Sequence, residues 1–507
     1  MYNFTAPWPK YPLVYEINTR VWLAELSTRA GRALTLDTIP NDEIDRIARM
    51  GFHGVWLMGV WTTGPEALEI ARTHPDLQRE YRAALSDFTP ADVIGSPYAI
   101  STYQVSPKLG GPQALAGLRQ KLSRHGLRVM LDFVGNHTAR DHHFVREHPE
   151  YYIQGDAGDL AREPQNFFRT PSGVILAHGR DPYFPGWTDT AQLNYCHAGA
   201  RQAMRDKLVS IAGQCDAIRC DMAMLMLPEV IERIWGSRLG AAPIKESFWR
   251  EALPQVLGQC PNARFVAETY WNTEWQMQQE GFHFTYDKTL YDRLRKGDIG
   301  GVRLHLQAQP AFQDRCLRFI ENHDEPRAVS AFGPAPSRSA AMATFFTPGM
   351  RLFHEGQLEG HRIRTPVQLG RRAFESEDVE IALFYEKMLG VLQDPIFQDG
   401  DFKSLEVNST GFGDASNQSL LALSWSPPAG KAPNPFLGYL IVANMSGQRT
   451  YGRVPLPNDV FTANSTYVFY DRYEGKRYER DGGELAWPGL YVSLEGHQPH
   501  IFEISRK

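Results

Sequence analysis

Four short runs in this chain bring together side chains that could do chemistry. Asp132, Asn136 and His137 fall within six residues, and Arg219 and Asp221 stand two apart. Glu268 leads into Tyr270 and Trp271, and Glu321, Asn322, His323 and Asp324 are consecutive. Each group closes a short apolar, β-branched run. Carboxyl groups are rarely buried without a partner or a purpose, so acids at the ends of several such runs are candidates for one shared site. Two of them could split a glycosidic bond with retention. One would be the nucleophile and the other the proton donor, about 5 Å apart around an oxocarbenium-like transition state. Arg219, two residues before Asp221 on a strand, shares its face. Such an arginine keeps the nucleophile ionised, while a neighbouring negative charge raises the pKa of the acid.

The elements that must position these groups are legible as alternating patterns. Runs at 13–17, 54–60, 128–134, 216–222, 265–270, 282–286, 317–320 and 350–354 read as strands. Helical patterns such as 42–50, 112–125, 200–213 and 379–393 lie between them. The first helix is expected after Pro40, with Asp42 and Glu43 in its opening turn at the positive end of the dipole. Strands alternating with helices make an α/β fold. A doubly wound sheet shows the same alternation, but eight units in this length favour a (β/α)8 TIM barrel, whose reactive residues gather at the C-terminal ends of the strands. The stretch 138–195 is rich in proline and glycine and too long for a bare loop, so a small inserted domain is expected after strand 3. Beyond 398 short strand-like runs at 420–425, 439–443, 466–470 and 490–494 replace the helical pattern, as in an antiparallel β-sandwich. The expected division is 1–137 with 196–398 for the barrel, 138–195 for the insertion and 399–507 for the C-terminal domain.

The four runs, in this order and on these strands, resemble the four short sequence regions of the α-amylase superfamily, glycoside hydrolase family 13. The resemblance implies roles position by position. Asp221 matches the catalytic nucleophile, Glu268 the general acid/base, and Asp324 the third carboxylate, which holds sugar hydroxyls. Arg219 matches the arginine that orients the nucleophile, and His137 and His323 match histidines that hydrogen-bond the central sugar. Asp132 is similar to a supporting aspartate. The loop 95–103 resembles one whose tyrosine stacks on the same ring, which makes Tyr98 the stacking residue. The implied partner is a small α-glucoside or oligosaccharide, and the implied chemistry needs no cofactor. The resemblance admits a structural calcium at Asn136, although the chain offers no full set of oxygen ligands there.

Departures from the family pattern narrow the expectation. Four residues after the nucleophile position, where many endo-acting amylases carry a histidine, this chain has Leu225. An apolar wall there favours short leaving-group subsites and the family's α-glucosidase or sucrose-type members over its endo-amylases. Thr102 replaces an aspartate common in the tyrosine loop. Residues 364–368 resemble an Arg-Thr-Pro segment of α-glucosidases, and 192–194 the end of a motif in the inserted domain.

Other function classes fit poorly. Net charge is −5, from 53 basic and 58 acidic residues, too mild to point to nucleic acid or an acidic membrane as the main partner. No apolar run approaches the ~18–20 residues that span a bilayer. Residues 1–10 lack the features of an export signal, and the five cysteines form no C-x-x-C pair, so a reduced cytoplasmic protein is expected. A catalytic metal at His142 and His143 lacks companions on the first strand, and adjacent histidines in an extended loop point to opposite faces. Cys220 is expected to point away from the site. A non-catalytic scaffold with the amylase fold is the rival from a different class, and among enzymes the open division is hydrolysis against transfer to a sugar or phosphate acceptor. Oligomeric state is not readable from the sequence.

Overall fold

The computed structural model describes residues 8–239, 246–411, 413–428, 436–456 and 461–507. Residues 1–7, which carry most of the segment read above for an export signal, lie outside the described residues. Eight strands close into a parallel barrel in sequence order. They are β1 Leu13–Asn18, β2 Gly54–Met58, β3 Arg128–Val134, β4 Ala217–Asp221, β5 Arg264–Ala267, β6 Phe284–Tyr286, β7 Cys316–Arg318 and β8 Met350–His354. Pairing of β1 with β8, Leu13 opposite Arg351 and Glu16 opposite His354, closes the ring and excludes the open doubly wound sheet.

Strand alternation decides what the barrel holds. Val14, Trp56, Met58, Met130, Ala217, Val266, Tyr286 and Leu352 form one interior cluster. Their neighbours Tyr15, Val55, Leu57, Val129, Leu131, Ile218, Cys220 and Phe353 belong to the layer beneath the helices. Glu16, Asp132, Arg219 and Asp221 share the interior parity, and Cys220 faces outward as expected.

The helices differ from expectation at one place. A helix, Thr19–Ala30, follows β1 before the one at Asn41–Arg49. Asn18 caps it by accepting from the Val21 amide, and Gly31 ends it in the left-handed conformation. Its buried residues, Val21, Trp22, Leu23 and Leu26, are bunched rather than spread along a helical stripe, so the periodic signal was weak.

After β3 the chain forms small antiparallel pairs, His137–Ala139 with Thr190–Gln192 and Phe167–Arg169 with Ile175–Ala177. The C-terminal region holds a six-stranded antiparallel sheet and a separate pair, Thr450–Val454 with Leu490–Leu494. Leu420, Ala422 and Leu440 pack with Val454, Val492 and Leu494 of that pair, which makes a two-layer sandwich. Leu421, Leu423 and Trp425 turn the other face toward the barrel, where Trp425 Nε1 donates to the Phe346 carbonyl at 2.8 Å.

Candidate active site

The C-terminal rim of the barrel is organised around Arg219. Its guanidinium is 1% exposed and lies near the rings of Trp56, Tyr98 and Tyr286 at 5.2, 5.3 and 5.8 Å. Nη1 donates to Asp221 Oδ1 at 2.8 Å, Nη2 lies 2.7 Å from Glu268 Oε2, and Asp132 Oδ1 is 3.6 Å from Nη1. The contact with Glu268 is an ion pair rather than an aligned hydrogen bond, since Nη2 has no hydrogen-bond partner by geometry. One fixed cation thus serves three buried carboxyl groups.

Glu268 follows the end of β5 and has two further donors. The Met222 amide reaches Oε2 at 2.7 Å and the Tyr270 hydroxyl reaches Oε1 at 2.7 Å. Met222 adopts φ 43°, a left-handed conformation costly for a residue with a side chain, and the turn 223–226 holds it there. Burial pushes the Glu268 carboxyl up to about 7, and the charges of Asp221 and Asp324 add to the push against the pull of Arg219. Burial also raises Asp221, with Arg219 opposing, and lifts Asp132 to about 7.

Asp324 is different. Asn322 Oδ1 accepts from the Asp324 and Glu325 amides, both at 2.9 Å, and so fixes the turn after β7. The Asp324 side chain is 49% exposed. Although partial burial pushes its carboxyl upward, the His323 ring at 3.0 Å prevails and holds it down to about 2. His323 Nε2 also lies 2.7 Å from the Tyr98 hydroxyl, and the two rings stack at 5.4 Å. On its other side, Nδ1 meets Glu16 of β1.

The structure therefore brings Tyr98, Asp132, Arg219, Asp221, Glu268, His323 and Asp324 together. His137 sits at the edge of the group, its ring 5.2 Å from Trp187 and held neutral by burial, which lowers it to about 4. Sequence reading passed over Glu16 and gave Tyr270 no role. The signal for Glu16 was present: a lone acid of interior parity in an otherwise apolar strand.

Two expectations need correction. Leu225 is 2% exposed and lies in the core with Met224 and Met226, so it is not a wall of the open cleft. His142 is buried rather than solvated, and its Nδ1 accepts from the Phe144 amide to cap a short helix. Its ring stacks on His143 at 4.3 Å instead of facing away. Asn136 Oδ1 accepts from Gln192 Nε2 at 3.0 Å, so its side chain ties the end of β3 to the inserted segment. Among the described residues the group of acidic and histidine side chains that could meet at one point is Asp471, Glu474 and His500, in the C-terminal region.

The α-amylase catalytic-domain family matches residues 36–364. The α-amylase MalA of Haloarcula japonica is 23% identical over 382 residues, covering 71% of this chain and 46% of that protein, so the chain spans about half of MalA's length. An α-1,4-glucan:maltose-1-phosphate maltosyltransferase of Cereibacter sphaeroides is 34% identical over 95 residues, 18% of this chain and 14% of that one. Among solved structures, the noncanonic maltogenic α-amylase AmyB of Thermotoga neapolitana matches with a TM-score of 0.67 at 18% identity, covering 98% of this chain and 99% of that one. At that identity the likeness concerns the fold.

Proposed function

The chain belongs to the α-amylase catalytic-domain family, and on that premise we propose that it is a retaining enzyme of α-glycosides, with Asp221 as nucleophile and Glu268 as acid and base. The observation that carries the reading is the shared guanidinium of Arg219 between these two carboxyl groups at the C-terminal rim. Two carboxyls on one guanidinium suit the ~5 Å spacing of a retaining pair, which leaves no room for a water between them.

Asp221 attacks the anomeric carbon from the face opposite the leaving group while Glu268 gives its proton to the glycosidic oxygen. The C–O bond of the leaving sugar breaks as a glycosyl ester forms on Asp221. Glu268, now a carboxylate, takes a proton from the incoming water or hydroxyl, which attacks the same carbon and frees Asp221. Asp324, ionised and open to the cleft, holds sugar hydroxyls, and its charge stabilises the positive transition state. Tyr98 offers its ring to the sugar, and His137 and His323 offer hydrogen bonds. Every reacting group is a protein side chain, so no cofactor takes part.

Small α-glucosides and malto-oligosaccharides cut near a chain end are the preferred substrates. Leu225, four residues after Asp221, is turned into the core, so that position gives a leaving-group sugar neither a wall nor a hydrogen bond, and the 364–368 segment that resembles α-glucosidases supports the same size assignment. A second reading, transfer to a sugar or phosphate acceptor, is favoured by the segment shared with the maltosyltransferase. All five cysteines are free, which suits the reducing cytoplasm. Comparing kcat/KM on maltose, malto-oligosaccharides and soluble starch, with and without an acceptor, tests substrate size and acceptor together. Fast internal cleavage of starch with short substrates untouched would overturn the size assignment.

A further inference from the structure

We propose that Glu16 is a positioning residue for the third carboxylate: from inside the barrel it fixes His323 as an imidazolium, whose other nitrogen holds Asp324 ionised and aimed into the cleft. The part concerning Asp324 rests on the functional reading above; the part concerning the His323 ring does not.

Glu16 is fully buried, and its ladder neighbours are Trp56 and His354. Its Oε1 meets His323 Nδ1, and among the described residues its other oxygen has no hydrogen-bond partner. His323 Nε2 lies 3.0 Å from Asp324 Oδ2. An ionised carboxylate can only accept, so a ring nitrogen that faces one must carry hydrogen. Nδ1 faces Glu16, and Nε2 has its aligned hydrogen bond with the Tyr98 hydroxyl while lying within ion-pair distance of Asp324, an arrangement that suits a ring carrying hydrogen on both nitrogens. A buried carboxylate in turn needs a countercharge, and His323 is the one Glu16 has. The relay is closed at the Glu16 end and open at Asp324, whose side chain is 49% exposed. The charge set inside the barrel is therefore read out at the cleft.

The other groups facing His323 are consistent with a cation there. Tyr98 contributes its hydroxyl, and Trp56 presents its ring edge-on at 5.4 Å. The Asp132 and Asp221 carboxyls act on it from β3 and β4. Arg219 is stationed over the Tyr98 ring. Arg327 from the segment after β7, and His354, Glu355 and Arg372 from the end of β8 and beyond, share with His323 a small cavity. Burial lowers His354 to about 3, so it stays neutral and adds no charge, while Glu355 pairs with Arg372 at 2.8 Å and Arg327 with Glu321 at 2.7 Å. Glu16 and Asp324 together carry His323 well above its ordinary range even against burial.

The direct test is ring nitrogen NMR on the full chain labelled at histidine, with Glu16→Gln and His323→Gln for comparison and assignment. In the unsubstituted protein both His323 nitrogens should be protonated at pH 7. In Glu16→Gln the ring should titrate at least one pH unit lower, a tenfold change in its protonation equilibrium. The same variant should lose about tenfold in kcat/KM on maltose at neutral pH and recover part of it at lower pH, where the ring regains its proton. Mere loss of packing would depress the rate at every pH alike, and that result would overturn the proposal. A neutral His323 at pH 7 in the unsubstituted protein would also overturn it, whatever becomes of Glu16→Gln. If no α-glycoside is turned over but the ring behaves as stated, the functional reading fails and the assignment of Glu16 to His323 stands.

Discussion

Two cation-bridged carboxyl pairs stand side by side on the barrel rim, and one acid of each, Glu268 and Asp324, is shifted in the opposite direction from the other. Arg219 joins Asp221 to Glu268, and His323 joins Glu16 to Asp324. In the first pair both acids are buried and share their cation with Asp132, so burial wins and Glu268 is pushed up to about 7. In the second, the outer acid is half exposed and faces an imidazolium, and Asp324 is held down to about 2. The contrast shows that a cation beside an acid does not by itself decide ionisation. Burial pushes both Glu268 and Asp324 upward, and the cations decide the difference: Arg219 is shared among three carboxyls, whereas Asp324 has His323 beside it with Arg219 and Arg364 adding to the pull. The outcome suits a site that needs one proton donor and one standing charge.

The first pair breaks most completely at Asp221. Asp221→Asn removes the atom that forms the glycosyl ester, and kcat should fall by about four to six powers of ten with the far-ultraviolet circular dichroism unchanged. Asp324→Asn attacks the second pair. It forms no bond to the sugar's anomeric carbon, so the loss should be smaller, about two to three powers of ten in initial rate on the same glucoside.

The difference in proton occupancy can be sharpened by pH. Glu268 must hold its proton in the first step, so the rate should fall as pH rises through about 7. Asp221 must lose its proton, so the rate should also fall on the acid side, and both limbs belong to the coupled set rather than to single residues. Tyr270→Phe removes a hydrogen bond that favours the charged form of Glu268. The alkaline limb should then move up by about half to one pH unit, the equivalent of roughly 1 kcal/mol, in a kcat/KM profile.

A change outside both pairs should leave the comparison intact. Trp425→Ala empties a buried site between the C-terminal sheet and the barrel and should lower stability by about 3–5 kcal/mol in denaturant unfolding. The remaining folded fraction should keep its kcat and both pH limbs.

How much of this was legible in the sequence follows from parity and neighbourhood. The barrel, and the interior placement of Arg219 and Asp221 with Cys220 outside, follow from alternation along a strand, a rule that acts within a few residues. Glu16 was equally exposed by that rule, yet its partner lies 307 positions away, and a contact at that separation leaves no local pattern. The helix Thr19–Ala30 escaped because its buried residues are bunched next to the strand that precedes it. Leu225 was misplaced for a related reason: its position after Asp221 was right, but the left-handed turn at Met222 directs the one-turn helix that follows into the core. The pKa contrast between Glu268 and Asp324 could not be read from residue types, since both are carboxyl groups and the cations around each, set by the fold, separate them.

The central claim is that Asp221 becomes covalently glycosylated during turnover. It is tested most directly by incubating the protein with a fluorinated α-glucosyl fluoride that slows release of the intermediate, then locating the adduct by peptide mass spectrometry. The account predicts one added fluorosugar on the peptide containing Asp221, and none in Asp221→Asn. An adduct on another residue, or turnover of the reagent with no adduct and with inversion of the anomeric centre, would contradict it.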